Sequence, residues 1–546
     1  MNSRYLKFLF LLISVTLLSC SDDSFLEEKP ESFYTSNNVF SSSKQVKQVV
    51  LSLYSDLRNF RLTNLQIKGE GTDFFDQNES RIAGAFADYN QINTQDGRFY
   101  TVYAFYYKLI STANTAIDAA GLDNITWDSE QERLYVLAQA RFFRAYAHGT
   151  LAELFGGVPI VTKLADEPRF DYKRATQEET YQFVIDELTA ILDDMPEITN
   201  QPGRLVKAAA QHYLSEFYLA LGTISKDDSD FKKSIKYASD VIDGGKYSLM
   251  TERFGTRADE PGKNVWWDLF RKGNINYADG NKESIWTFQT DLDAYIKEDH
   301  EAYLNYPRYY MPVLRAIPGV NGIGADVGGR GVAWESPTTL VKDAIWKGNL
   351  EESDERNASY NIQRTFYYND PDKANFGDPV PQEVVDKANK GQGWIFPIFW
   401  KLSTDHLEGL DQGQNGSNLF RDDYAIRLPE TILLRAEAYY RMGNSAKAAQ
   451  DINMIRNRVN ATPINADAVD IDFILDERAR ELYVEENRWS TLLRMGGTVA
   501  VDRIRKYALH DLTRKTLTFD FNLWPIPQDV IDRNKDVKLE QNPGWN

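Results

Sequence analysis

The chain has a single cysteine in 546 residues and only five histidines. One thiol excludes an intramolecular disulfide, so packing and polar contacts alone must hold the core. His148, His212, His300, His406 and His510 stand at no ligand spacing from one another or from a cysteine, which argues against a zinc centre and assigns them to the core or the surface. Basic charge is short too: 62 Lys and Arg face 80 Asp and Glu, a formal −18. Such a surface repels phosphate backbones and anionic headgroups, so nucleic acid is not an expected partner. Strongly polyanionic substrates are disfavoured as well, unless a local basic patch overrides the average. Beyond the N-terminus no apolar run reaches the ~20 residues of a membrane-spanning helix, and the remainder is expected to be soluble. There is no Gly-x-Ser-x-Gly elbow, P-loop or dinucleotide fingerprint. Residues 319–331 (GVNGIGADVGGRG) are rich in glycine but lack a following helix pattern and the P-loop Lys-Ser/Thr, and read as a flexible loop.

The N-terminus carries an address. Arg4 and Lys7 precede an apolar stretch from Phe8 to Leu18, the pattern of a secretory signal. Ser19-Cys20 resembles the lipobox of bacterial lipoproteins, in which cleavage leaves the cysteine as an acylated N-terminus. Lipid on Cys20 would anchor the protein to a membrane surface rather than span it. Loss of residues 1–19 takes the formal charge to −20. Ser21-Asp22-Asp23-Ser24 forms an acidic tether similar to short export signals that send lipoproteins to the cell surface. The expected organisation is a signal peptide at 1–19, a lipidated flexible tether at 20–32 and one domain at 33–546.

What is abundant is helix periodicity and aromatic residues. Val46, Val49, Val50, Leu53 and Leu57 recur at spacings of three and four within 42–60, and Tyr103, Tyr107, Ile110, Asn114 and Ile117 do so within 100–120. Further helices are expected at about 129–155, 176–193, 205–222, 229–243, 427–442, 445–459 and 471–494, with a long loop at 61–99. In 429–459, Pro429 sits at a helix start, Ala436 and Tyr439 fall three apart, Gly443 breaks the chain, and Ala448 and Ile452 fall four apart. This is the tetratricopeptide spacing, in which small residues let two helices approach and large ones fill the gap. Arg435 occupies a position that is usually apolar. Ser215, Tyr218, Gly222, Ser234 and Ala238 make a weaker copy. The fold class is therefore mostly α: a tetratricopeptide-like stack of helical hairpins with a loop-rich, aromatic-rich insertion at about 244–425, containing a few short strands such as 284–289. Aromatics make up 13% of the chain, many in stretches without helical periodicity, where flat faces can pack against sugar rings.

Four segments together resemble the SusD/RagB family of outer-membrane nutrient-binding lipoproteins. They are Ala138 to Val161 (AQARFFRAYAHGTLAELFGGVPIV), Leu428 to Gly443 with Ile452 to Val459 (LPETILLRAEAYYRMG and INMIRNRV), Ile474 to Gly496 (ILDERARELYVEENRWSTLLRMG), and the C-terminal Leu523 to Pro527 and Gln541 to Trp545 (LWPIP and QNPGW). The resemblance implies about four helix pairs, a fatty-acylated N-terminus in the outer membrane, and a partner: a SusC-like, TonB-dependent β-barrel transporter on which the protein acts as a hinged lid. It implies a glycan ligand bound between the first inter-helix loop and the central insertions. Candidate contacts are Asp73, Phe74, Phe75, Asn78, Tyr89 and Asn90 in the first region. In the second they are Trp266, Tyr277, Tyr309, Tyr310, Arg330, Trp334 and Tyr367. Trp286, Trp400, Trp489 and Trp524 fall in regular segments and are assigned to structure.

No catalytic role is expected. Glu477, Glu481, Glu485 and Glu486 lie among Arg478, Arg480 and Arg488, where ion pairing explains them better than a glycosidase pair does. No cofactor is expected. Asp326, Asp370, Asp372 and Asp378 lie in loops that suit a hard cation but lack EF-hand order, so a structural Ca²⁺ has no support. Two other functions compete: peptide capture, as in RagB-like members, and a tetratricopeptide-type protein–protein adaptor.

Overall fold

Apolar spacing of three and four residues builds a buried stripe of Val46, Val50, Leu53 and Leu57 along α1 (Ser43–Thr63), which begins with a capping box between Ser42 and Gln45. The computed structural model describes residues 40–76, 86–165, 167–293, 303–348, 351–406, 416 and 418–545. Cys20, the tether and Asn78 lie outside the described residues. After α1 come α2 (Gly97–Ala120), α3 (Glu130–Phe155), α4 (Gln177–Thr189), α5 (Lys207–Ser225), α6 (Asp228–Ile242), α7 (Gln382–Asn389), α8 (Leu428–Arg441), α9 (Ser445–Arg458), α10 (Ile471–Leu482), α11 (Arg488–Met495) and α12 (Val499–Tyr507). Each of α1 to α5 packs on its successor, α6 packs on α8, and α8 packs on α9 and α10. The chain is mostly α, and its long helices stack as antiparallel hairpins.

Close approach between hairpins rests on small residues. A Cβ on Gly149 of α3 would stand 2.2 Å from the Phe217 ring of α5, and one on Gly222 would stand 2.9 Å from Phe231 of α6. Ser215 and Ser234 touch at 3.1 Å across the α5–α6 pair. In the α8–α9 hairpin Ala436, Ala448 and Ile452 are fully buried. Arg435, out of pattern for an apolar position, pairs with Asp451 and with Asp243 beyond α6, each at 2.8 Å, so it ties two hairpins together.

One expected element divides. The segment 471–494 is two helices, broken at Tyr483–Asn487 with Val484 at φ 69°. Glu485 turns to Arg427 and Lys401, while Glu486 turns to Arg478 and Arg488, all within 2.9 Å. Carbonyls freed by the break are taken up by cations: Lys68 donates to Val484 at 2.8 Å and Arg427 to Glu481 at 3.1 Å. Tertiary ion pairs outweigh the local preference to continue the helix.

Among the described residues the strands form three two-stranded antiparallel sheets. β1 (Phe75–Asp76) pairs with β3 (Ser336–Pro337), β2 (Ser284–Phe288) with β6 (Asp423–Arg427), and β4 (Ile362–Gln363) with β5 (Ile398–Phe399). The centre is fixed to the helices by buried charge. Arg427 reaches Glu283, Glu481 and Glu485; Arg458 reaches Glu283 and Glu481; Arg356 reaches Asp354, Glu477 and Glu481. Burial alone would raise the Glu477 carboxyl, but Arg356, Arg480 and Arg456 outweigh it and hold it at about 2. Glu481 is held low in the same way by Arg458, Arg427 and Arg356.

Candidate functional site

Two stretches of the insertion lie side by side and build an aromatic platform. Pro307 opens a single helical turn at Tyr306–Tyr310. Its continuation runs along residues 331–335: Trp334 N–H donates to the Arg308 carbonyl at 3.5 Å, Glu335 to Tyr309 at 3.0 Å and Ala333 to Met311 at 3.1 Å. Val313 N–H donates to the Trp394 carbonyl at 2.9 Å, adding a third stretch. The β1–β3 pairing sets the 70s beside this unit, with Thr338 N–H donating to Phe74 at 3.0 Å.

Trp334 is half-buried and stacks on Tyr309, with ring centroids 5.1 Å apart and planes 27° from parallel. The Arg308 guanidinium lies 5.3 Å from the Trp334 ring. Ala333, just before the indole, is in the left-handed region at φ 52°. A non-glycine residue there costs about 1–3 kcal/mol, and such strain collects at ligand clamps. The glycine-rich run 319–331, expected to be a flexible loop, is packed against this unit. A Cβ on Gly322 would stand 2.0 Å from the Arg315 nitrogen and one on Gly331 1.9 Å from the Pro312 carbonyl, so these glycines serve backbone-on-backbone contact. The run also receives a hydrogen bond from Ser403 to the Gly328 carbonyl at 2.6 Å.

Several expected contacts are core residues instead. Asp73 is fully buried between Arg488 (2.7 Å) and Arg503 (2.6 Å); burial pushes its carboxyl up, and the two arginines more than reverse this, to about 2. Phe74 and Phe75 pack on Tyr483, and Phe75 also on Tyr310, which is itself buried. Tyr89 is buried and donates to the Gly71 carbonyl at 3.4 Å. Trp266 is buried beside Phe270, with the Arg458 and Lys401 cations each 5.3 Å from its ring. These side chains have no face left for a ligand, because the partners covering them come from distant stretches. Tyr277 is half-buried, its hydroxyl committed to the Lys246 carbonyl at 3.0 Å. Asn90 is exposed, its N–H donating to the Asp88 carboxylate at 3.1 Å. Tyr309 and Trp334 do come together, with Tyr309 itself buried beneath the indole, while Arg330 lies on the stretch leading into Trp334 and its N–H donates to the Gly416 carbonyl at 3.0 Å. Tyr367 is 48% exposed on a hairpin across 366–380, which is joined to the glycine-rich run by Asn369 and Asn321. Arg308, Arg315 and Trp394 were missed by sequence reasoning; the one available signal was the position of Arg308 beside Tyr309.

Trp286, Trp400, Trp489 and Trp524 are buried. His148 and His212 are buried too: His148 contacts the Arg144 carbonyl and the Val161 N–H, and burial pulls its pKa down to about 4. Among the described residues no group of three or more His, Cys, Asp or Glu is placed to hold a metal ion, and no helix is long and apolar enough to cross a membrane. Two clefts, of about 710 and 640 Å³, open elsewhere, on the helical scaffold; the second is lined by Tyr100, Tyr103, Tyr107 and Phe170.

A stack of helical hairpins carrying a loop-built aromatic platform defines a binding scaffold. The chain belongs to the SusD family: the sequence model of that family matches residues 401–545, and a second, described as starch-binding associating with outer membrane, matches 24–219. The SusD-like protein P2 of Formosa agariphila is 24% identical over 99% of both chains. The starch-binding protein SusD of Bacteroides thetaiotaomicron is 26% identical over 78% of this chain and 75% of its own. Among solved structures, a SusD homolog from Bacteroides thetaiotaomicron superposes with a TM-score of 0.70 at 20% identity, covering 93% of this chain and 98% of its own. A laminarin-binding SusD-like protein superposes at 0.65 and 18%, covering 93% and 100%.

Proposed function

We propose that this protein is an outer-membrane lipoprotein, acylated at Cys20, that binds a glycan at the cell surface. It delivers the glycan to a SusC-like TonB-dependent transporter without acting on it chemically. The stacked Trp334–Tyr309 pair carries the reading: a half-buried indole propped on a second ring and bordered by a guanidinium suits the apolar face and the hydroxyls of a pyranose. Relatives that bind starch and laminarin support a sugar over a peptide. The family description places its members at the outer membrane. Binding without turnover fits the fate of the acidic run, since Glu477 and Glu481 are fully buried in ion pairs where neither water nor substrate reaches them.

Affinity electrophoresis of the mature protein against a panel of polysaccharides tests this. Retardation by a glycan is expected, with about a tenfold or greater loss of affinity in Trp334→Ala, since a stacked ring contributes about 1–3 kcal/mol. Phe170→Ala, in the cleft on the helical scaffold, should bind as the wild type does. No retardation across the panel, with peptides bound instead, would replace the sugar by a peptide. Incorporation of labelled palmitate, lost in Cys20→Ala, tests the anchor.

A further inference from the structure

Away from the platform, Tyr100, Tyr103, Tyr107, Ile110 and Asn114 form a stripe along α2 that lines the cleft of about 640 Å³. Phe170 and Tyr172, ahead of α4, and Val530 and Leu539, near the C-terminus, form its other walls. The fold leaves these walls partly open: Phe170 is 41% exposed, and Tyr100, Tyr107 and Tyr172 are half-buried. A concave, mostly apolar surface of this size is the form of a binding cleft. Its charged lining has one sign. Lys163, Arg169 and Arg533 line it and, among the described residues, no Asp or Glu does, in a chain with 80 acidic and 62 basic residues. Asp171 and Asp529 meet Arg169 and Arg533 from outside the lining, at 2.9 and 3.8 Å, and exposed pairs of this kind are weak.

The stripe leads to the place where the chain joins the helical stack. Ile117, the next residue along it, packs against the cluster in which Phe40 meets Ala116, Ala119 and Ala120, and the Phe40 carbonyl accepts from Asn124 at 3.3 Å. The residues ahead of Phe40 have the chemistry that the cleft lacks: Phe33 and Tyr34 are apolar, and Glu27, Glu28 and Glu31 precede them. From Ile117 back to Tyr103, α2 runs about 21 Å at ~1.5 Å per residue. Six or seven extended residues cover about 20–23 Å, and Tyr34 and Phe33 stand that far ahead of Phe40. They therefore reach the Tyr103–Tyr107 floor. The glutamates then come level with the Tyr100 end, where Arg533 donates to the Tyr100 hydroxyl at 3.2 Å. The family match that covers the first helices starts at residue 24, so this stretch belongs to the same sequence unit. We infer that residues 25–39 run back along α2 and seat Phe33 and Tyr34 in this cleft, with Glu27, Glu28 and Glu31 against its cations. Joined to the fold at Phe40, the segment binds its cleft at a high effective concentration. On the anchor reading above, this seat turns the α2 face towards the membrane; the seat itself does not require the lipid.

The test is chymotrypsin cleavage of the folded, full mature chain after Phe33 and Tyr34, followed by intact mass, because a seated segment must open before it is cut. The comparison is the K163E/F170S double variant, which alters two exposed lining residues and should keep the wild-type circular dichroism. Cleavage at these two sites should be about tenfold or more slower in the wild type than in the variant. Hydrogen exchange in peptides covering 25–39 gives a second measurement on the wild type alone, with protection expected. Rapid cleavage of both chains, with exchange at the rate of an unfolded chain, would overturn the seat. Slow cleavage of both would place the segment elsewhere on the fold, and protection lost on dilution would give the cleft to a second copy; either result overturns the inference. None of these readouts involves a glycan or the lipid, so the inference fails or stands separately from the proposed function.

Discussion

The helical scaffold and the loop-rich centre both bury many aromatic side chains, yet different forces hold them. In the scaffold, small residues such as Gly149, Ser215 and Ala448 let helices touch, and rings such as Phe217 and Phe231 fill the remaining space. In the centre, order comes from arginines and carboxylates that reach across from the helices, with Arg427, Arg458 and Arg356 converging on Glu477 and Glu481. Apolar packing follows a period along the chain and tolerates gradual change. A buried ion lattice is set by individual partners and fails when one is removed, because its neighbours are left charged without water. A family can thus keep one scaffold while its platform loops change, provided that the lattice holding the loops is retained.

That contrast can be broken most sharply at Glu481. Glu481→Ala leaves Arg427, Arg458 and Arg356 short of a partner and should cost about 3–5 kcal/mol, read as a fall in midpoint by chemical denaturation. Gly149→Ala tests the scaffold's mode, pushing a methyl into the Phe217 ring at a cost of about 1–3 kcal/mol. A loss in Gly149→Ala equal to that in Glu481→Ala would remove the distinction between the two regions.

The pH dependence sharpens the comparison further. Within the scaffold, burial raises Glu153 and Glu430 from the ordinary 4.5 to about 7; among the described residues Glu153 has no ion pair, while Glu430 meets Arg478 at 3.3 Å and His212 at 3.9 Å. A raised carboxyl stabilises the fold below about 4.5 and loses that contribution as pH climbs towards 7. Glu477 and Asp73, held at about 2, do the opposite: their contribution is present above the ordinary carboxylate range and is lost as pH falls towards 2. Melting temperature should therefore peak at mildly acidic pH. Glu153→Gln should flatten the decline between pH 4.5 and 7 while leaving the acid limb unchanged; an unaltered decline would remove Glu153 as a cause. The smallest effect is expected at the hairpin: Tyr367→Ser, at 48% exposure, should change stability by less than about 0.5 kcal/mol.

Much of the scaffold was legible. The 3.6-residue period placed α1, α2 and the α8–α9 hairpin because a helix buries one stripe whatever it later packs against. The break between α10 and α11 was not, since it follows from Glu485 and Glu486 finding partners on different elements. Of the candidate contacts, Trp334 stays half-buried on Tyr309, while Asp73, Phe74, Phe75, Tyr89, Trp266 and Tyr310 are core residues. An aromatic in a loop looks the same in sequence whether it faces out or in.

The sequence by itself determined the helical frame, the acidic balance and the family, because periodicity, charge and short motifs are local properties of the chain. Tertiary structure alone decided which rings line the platform and which are buried in the core. Both depend on partners far away in the chain, such as Tyr483 for Phe74, Arg488 for Asp73 and Arg427 for Glu481, and on the burial those contacts impose.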